Sequence, residues 1–260
     1  MNQERFTSTE NKNAWNEQSY QAWITRFGPP EEAAAKIVDQ PKKPLLTLLD
    51  HFGDVKTKKI MNLMGSNGTK AVPLALLGAD VTVADFSEGN QRYALELAQA
   101  ADVTITYLLC DVLDLPDKDL DCFDIVFAEM GILHYFNDLV PFFKMIHSIL
   151  TKRGKCIIRD FHPVSTKLIT SKGSTAKVRK HKVTGDYFET ALIEQDVSFS
   201  KYDSKEASSV MLRQWTLGEI VTAAASAGLV ISRLQEEPNL SSDVYDKGIP
   251  KTFVLEAHKP

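Results

Sequence analysis

The chain has 260 residues, 43% of them hydrophobic and 25% charged, enough to bury one sizeable core and ordinary for a globular protein. Its net charge of -4 gives no global reason to expect a nucleic-acid partner, and no apolar run approaches the roughly 20 residues that cross a bilayer. Three cysteines, Cys110, Cys122 and Cys156, are too few and too widely spaced for a disulfide framework or a metal pattern, and with the polar opening MNQERFTSTENKN they point to a cytoplasmic protein with no metal site.

The spacing of Trp15, Tyr20, Trp23 and Phe27 predicts an amphipathic helix that breaks at Gly28-Pro29-Pro30. A second helix is expected from Glu31 and a short third one over 44–52, so that 1–55 packs on or caps the core. From Lys58 the pattern alternates. Strands are predicted at 60–64, 81–85, 104–110, 125–130 and 156–160, with the apolar, β-branched character of a parallel sheet covered on both faces. Helices are predicted between them at 69–77, 87–101 and 137–150, with Ser87 and Asn137 as N-caps and Gly154 as the stop after the last. This core is expected to span 56–161. Beyond Asp160 the rhythm changes, and alternation at 187–199 and near 210–212 predicts short antiparallel strands within a cap inserted at 162–213. A helix at 216–227 ended by Gly228, then strands at 229–234 and 252–257, are expected to complete the core over 214–260.

Four stretches carry chemistry. In KKIMNLMGSNGTKAVPLALLGADVTVADFS, residues 58–87, a strand breaks at a Gly-bearing turn, a helix follows, and a second strand stops at Asp85. This is the βαβ unit of a nucleotide-type site, in which a turn offers backbone N–H groups and a carboxylate can accept from two vicinal hydroxyls. CDVLDLP at 110–116 places Asp111 just past another strand. FDIVFAEMGILHYFND at 123–138 carries Glu129, Met130 and His134 at a strand exit, and LTKRGKCIIRDFHP at 150–163 ends in Asp160 and His162.

The order of these motifs resembles the class I S-adenosylmethionine-dependent methyltransferases over most of 58–258. The resemblance implies a Rossmann-like, doubly wound α/β sheet of seven strands, mostly parallel with an antiparallel last strand, with helices on both faces and a small α+β cap. In that family the first strand ends in an acid followed by three alternating glycines. Here Asn62 stands at the acid position, Met64 and Ser66 at the first two glycines and Gly68 at the third, and Gly65 and Asn67 are expected to supply the positive-φ positions. The resemblance further implies that Met64, Gly65, Ser66 and Gly68 cradle S-adenosylmethionine while Asp85, with Phe86 beside it, binds the ribose. Asp111 and the Val112 N–H would then meet the adenine, Glu129 and Met130 would lie near the sulfonium, and Tyr20 would reach the amino-acid end. Glu129, His134, Asp160 and His162 are the candidate catalytic groups, His134 as a base near neutral pH. The plainer readings stay open beside these: helix capping for Asp85, core packing for Met130, and structural hydrogen bonding for His134 and Asp160.

The implied activity is methyl transfer to a small-molecule acceptor, of the EC 2.1.1 type, with S-adenosylhomocysteine as product. A binding protein without turnover is the alternative. A nicotinamide-dependent oxidoreductase is disfavoured because NLMGSNGTKA lacks G-x-G-x-x-G. The basic run Lys167, Lys172, Lys177, Arg179, Lys180 and Lys182 is expected to be a solvated lid loop.

Overall fold

A computed structural model describes residues 19–117, 120–172, 180–196, 209–238 and 248–260. Its N-terminal elements are α1 (Ser19–Phe27), α2 (Pro30–Asp39) and α3 (Leu49–Phe52). The helix expected over 44–52 is split, because only Lys43–Leu45 forms a 3₁₀ turn before α3 begins. The core then alternates β1 (Lys59–Leu63), α4 (Ala71–Leu76), β2 (Asp80–Asp85), α5 (Glu88–Ala100), β3 (Thr106–Leu109), β4 (Phe123–Glu129), α6 (Leu139–Ile149) and β5 (Leu150–Phe161). Two hairpins follow, β6 (Ile169–Lys172) with β7 (Lys180–Val183), and β8 (Leu192–Asp196) with β9 (Ser209–Arg213). The chain closes through α7 (Leu217–Ser226), β10 (Val230–Pro238) and β11 (Pro250–His258).

The seven-stranded sheet has the order β10-β11-β5-β4-β1-β2-β3. Strands β1 to β5 pair in parallel, and β11 runs antiparallel to both β5 and β10. This is the mostly parallel, doubly wound arrangement expected from the sequence. From β1 the chain winds outward through β2 and β3, then returns to place β4 on the other side of β1. A crevice opens at such a reversal, outside the carboxyl ends of the strands.

Alternation along each strand sends side chains to two separate cores. Met61 and Val126 join the face covered by α6 and α7, with Phe142, Phe143 and Ile146. Ile60 and Phe127 join the opposite face under α5 and the N-terminal helices, with Trp23, Tyr93 and Leu97. Among the described residues no helix is long and apolar enough to cross a membrane, and no cluster of His, Cys, Asp or Glu is arranged to hold a metal ion.

Several local expectations change. Ser87 does cap α5, its side chain accepting from the Asn90 N–H. The cap of α6 is Asp138 rather than Asn137, its carboxylate accepting from the Val140 N–H at 2.8 Å. That helix stops where Leu150 turns extended, so Gly154 lies within the residues of β5 instead of ending the helix. Its lack of a side chain matters there because a Cβ would sit 2.8 Å from the Thr151 carbonyl. The basic run contains the strands β6 and β7, although Lys177 and Arg179 lie outside the described residues, as does Trp15.

Candidate active site

The turn after β1 is shaped by backbone conformation. Met64, Ser66 and Gly68 take φ of 46°, 50° and 77°, the left-handed region that costs most L-residues about 1 kcal/mol or more. These are the three alternating positions at which the resemblance places glycines. The expectation that Gly65 and Asn67 would take them is therefore corrected. Gly65 serves another purpose: a Cβ there would lie 2.5 Å from Asn62 Oδ1 and 2.8 Å from Val83 Cγ1. The loop folds down over Asn62, whose side chain is buried beneath it and does not line the cavity. Gly68 likewise packs against α5, where a Cβ would meet Ala94 at 2.8 Å.

Two interactions hold the turn to the neighbouring strands. The Ser66 N–H donates to Asp85 Oδ2 at 3.1 Å, and the Tyr107 hydroxyl donates to the Ser66 carbonyl at 2.9 Å. Asp85 Oδ1 accepts in addition from the Ser87 N–H at 2.9 Å and from Asn90 Nδ2 at 3.3 Å. Burial raises the Asp85 pKa, and these donors oppose the rise. Asn90 in turn accepts from Trp23 Nε1 at 2.7 Å, and Ser19 and Ser87 hydroxyls meet at 3.1 Å. A buried polar chain therefore ties α1 to the carboxylate at the end of β2.

One cavity of about 490 Å³ lies along the strand ends. Met64, Ser66, Asp85 and Phe86 line it from the first two strands, and Asp111 and Val112 from the turn after β3. The register pairs Asp85 with Leu109, so the two acids leave adjacent strands. Asp111 also accepts from the Leu113 N–H at 3.0 Å, and Leu115 is fully buried in the core.

At the end of β4, Glu129 and Met130 reach the same cavity, with Met130 at φ 62°. Glu129 is nearly buried and held by charge: Oε1 accepts from Arg159 Nη1 and Thr47 Oγ1, both at 3.2 Å. Lys70 Nζ lies 2.8 Å from Oε2 but out of line for a hydrogen bond, leaving Oε2 without a hydrogen-bond donor among the described residues. Arg159 also donates to Glu237 and Thr252, so the cluster of two acids and two bases carries no net charge.

Residues 64–158 match the profile of the family described as "Methyltransferase domain". A demethylmenaquinone methyltransferase of Clavibacter sepedonicus is 31% identical over 110 residues, 41% of this chain and 42% of that relative; the match thus spans less than half of the curated protein. Among solved structures, an S-adenosylmethionine dependent methyltransferase from Mesorhizobium loti superposes with a TM-score of 0.61 at 21% identity, over 85% of this chain and 100% of that one. Magnesium protoporphyrin IX methyltransferase from Synechocystis PCC 6803, with bound SAM, gives 0.60 at 15% identity over 98% and 97%. The sheet and its helices thus share the fold of these methyltransferase structures, and the profile match falls within that core.

Six expected site residues lie off the cavity, Gly65 and Gly68 among them, packed as described above. Tyr20 points to α5, where its hydroxyl donates to Glu96 and Arg92 lies 4.2 Å over its ring; Trp23 and Arg26, from the same helix, line the cavity instead. The carboxylate of Asp160 is spent on backbone: Oδ1 accepts from the N–H groups of Gly131 (2.6 Å) and Phe161 (2.7 Å), and Oδ2 from those of Ile132 (3.0 Å) and Leu133 (2.9 Å). His162 faces away, bonded to Glu236 at 2.7 Å and to the Val164 N–H at 3.1 Å. Asn62, as above, is under the loop. His134 does line the cavity, and burial lowers its pKa against the opposing charge of Asp160. Asn90, Tyr107 and Phe161 went unnoticed in the sequence. Only Asn90 carried a local signal, three residues after a Ser N-cap.

Proposed function

We propose that this chain is an S-adenosylmethionine-dependent methyltransferase acting on a small-molecule acceptor. The observation carrying this reading is that Asp85 and Asp111, from adjacent strand ends, share one cavity with Glu129 and His134. The chemistry of that set suits the cofactor. Asp85 would take the ribose hydroxyls, Asp111 and the Val112 N–H the adenine, and Glu129, at the far end of the same cavity, would face the cationic end of the ligand. When bound, S-adenosylmethionine supplies a methyl group activated by a positively charged sulfur.

The remaining work is positioning. Aligning two reactants can lower a barrier by roughly 7–11 kcal/mol, so no covalent bond to the protein is needed. The neutral form of His134, favoured by burial, can accept a proton from an acceptor hydroxyl. The positive φ values at 64, 66 and 68 support turnover-competent loop geometry despite the missing glycines. In this reading 1–55 forms a wall of the site, 56–161 the cofactor half, 162–213 a cap, and 214–260 completes the sheet.

The test is calorimetric titration with S-adenosylhomocysteine and with NAD, followed by incubation with methyl-labelled S-adenosylmethionine and a metabolite extract. Binding of the first ligand and label transfer to a small molecule are expected. Binding of NAD alone would refute the reading.

A further inference from the structure

We infer that the acceptor is a flat aromatic molecule bearing a hydroxyl, stacked on Phe161 with that hydroxyl turned to His134. This rests on the methyltransferase reading above and names its substrate class.

The turn after β4 is built to leave a space between two rings. Gly131 takes φ 81°, and a Cβ placed on it would lie 3.3 Å from His134 Cε1 and 3.5 Å from Phe161 Cε2. Both rings therefore flank the same α-carbon, on the cavity side. The turn is held from below by three N–H bonds, from consecutive residues 131–133, to Asp160. It is held from the side by Trp215 Nε1, which donates to the Leu133 carbonyl at 2.9 Å, and by Arg213 Nη1, which donates to that of Asn137 at 2.7 Å. Rings fixed this way can select a ligand by shape.

The lining then narrows the chemistry. Tyr135 stands against His134 at 4.5 Å between centroids, and Phe161, although it lines the cavity, is 39% exposed. An uncovered aromatic face beside a rigid turn suits stacking. Arg26 is the sole Lys or Arg lining the cavity among the described residues, against the acids Asp85, Asp111, Glu129 and Asp138. A phosphorylated or polycarboxylate acceptor would find little to neutralise it. The step balances without a further reagent. The acceptor oxygen forms the bond to the methyl carbon as the carbon–sulfur bond breaks, its electron pair goes to sulfur, and the hydroxyl proton passes to His134.

The experiment uses the full chain saturated with S-adenosylhomocysteine and titrated with 2-naphthol, its saturated analogue decahydro-2-naphthol, and 3-phosphoglycerate, read by calorimetry. 2-Naphthol is expected to bind about two- to twelvefold tighter than the saturated alcohol, the scale of an aromatic stacking contribution. Phe161→Ala should abolish that preference, Phe161→Tyr should restore it, and both should bind S-adenosylhomocysteine as the parent does. Equal binding of the two alcohols, tighter binding of 3-phosphoglycerate, or an undiminished preference in Phe161→Ala would overturn the inference. Binding of S-adenosylhomocysteine with no binding of 2-naphthol overturns it alone, whereas failure to bind S-adenosylhomocysteine overturns the parent reading and this one with it.

Discussion

Replacing Asp85 by Asn is the most direct probe of the site. The carboxylate uses Oδ1 for two donors and Oδ2 for the Ser66 N–H, which leaves one lone pair on Oδ2 for a ligand. An Asn side chain retains one acceptor but loses the charge. Its amide must also face a donor, either Ser66 or the Ser87–Asn90 pair. Hydrogen bonds to a charged group contribute about 1.5–3 kcal/mol each, so a net affinity loss of about 1–3 kcal/mol is expected, or roughly 5- to 150-fold in Kd. Calorimetry with S-adenosylhomocysteine measures it, and circular dichroism confirms that the variant is folded. The pH dependence adds a second signature. Because burial raises the Asp85 pKa, the folded state binds this proton more tightly than the unfolded chain does. The site therefore favours folding below the unfolded pKa and loses that contribution as pH rises through the folded value. Ligand affinity runs the other way, falling as acid neutralises the carboxylate. The Asn variant should lack that acid limb. A folded Asp85→Asn protein that binds within twofold of the parent would refute the assignment.

Three further outcomes are expected. Gly65→Ala should lower stability by about 1–3 kcal/mol, the cost of overpacking, because its methyl meets Asn62 and Val83; an unchanged melting temperature would show that the loop is slack. Asn90→Ala removes the bridge between Trp23 and Asp85, and should weaken S-adenosylhomocysteine binding by about 1 kcal/mol while altering tryptophan fluorescence; a change in neither would disconnect α1 from the site. For His134, an NMR titration should give a pKa below 6.5 that falls further in Asp160→Asn, since the Asp160 charge holds it up. A rise in that variant would contradict the geometry.

The parallel core was legible because its strands are continuous apolar, β-branched runs, each followed by a polar exit. Asp85 and Asp111 stand at such exits, and both reach the cavity. What escaped notice depends on distant partners. Tyr20 and Trp23 are three apart on one helix, and periodicity cannot say which faces the cavity. The docking of α1 decides it, through bonds that span 68 residues from Ser19 to Ser87 and 67 from Trp23 to Asn90. In the turn after β1, residue type suggested Gly65 and Asn67 for the positive φ values. Contact with Asn62 and Val83 reserves Gly65 for close approach, and the strain falls on Met64 and Ser66. Asp160 was readable as an acid at a strand end, yet nothing local showed that the 131–133 backbone would consume it.

The cluster around Arg159 also sets an order on biosynthesis. Glu129, at the cavity, shares Arg159 with Glu237 of β10 and Thr252 of β11, and β11 lies inside the sheet, not at its edge. On the ribosome β1 to β4 emerge long before these partners. Until residue 237 leaves the exit tunnel the guanidinium lacks its second carboxylate, and until β11 follows β5 lacks its second neighbour. A nascent chain can thus assemble the Asp85 and Asp111 side of the cavity early, and the Glu129 end is completed only when the final hairpin slides into place.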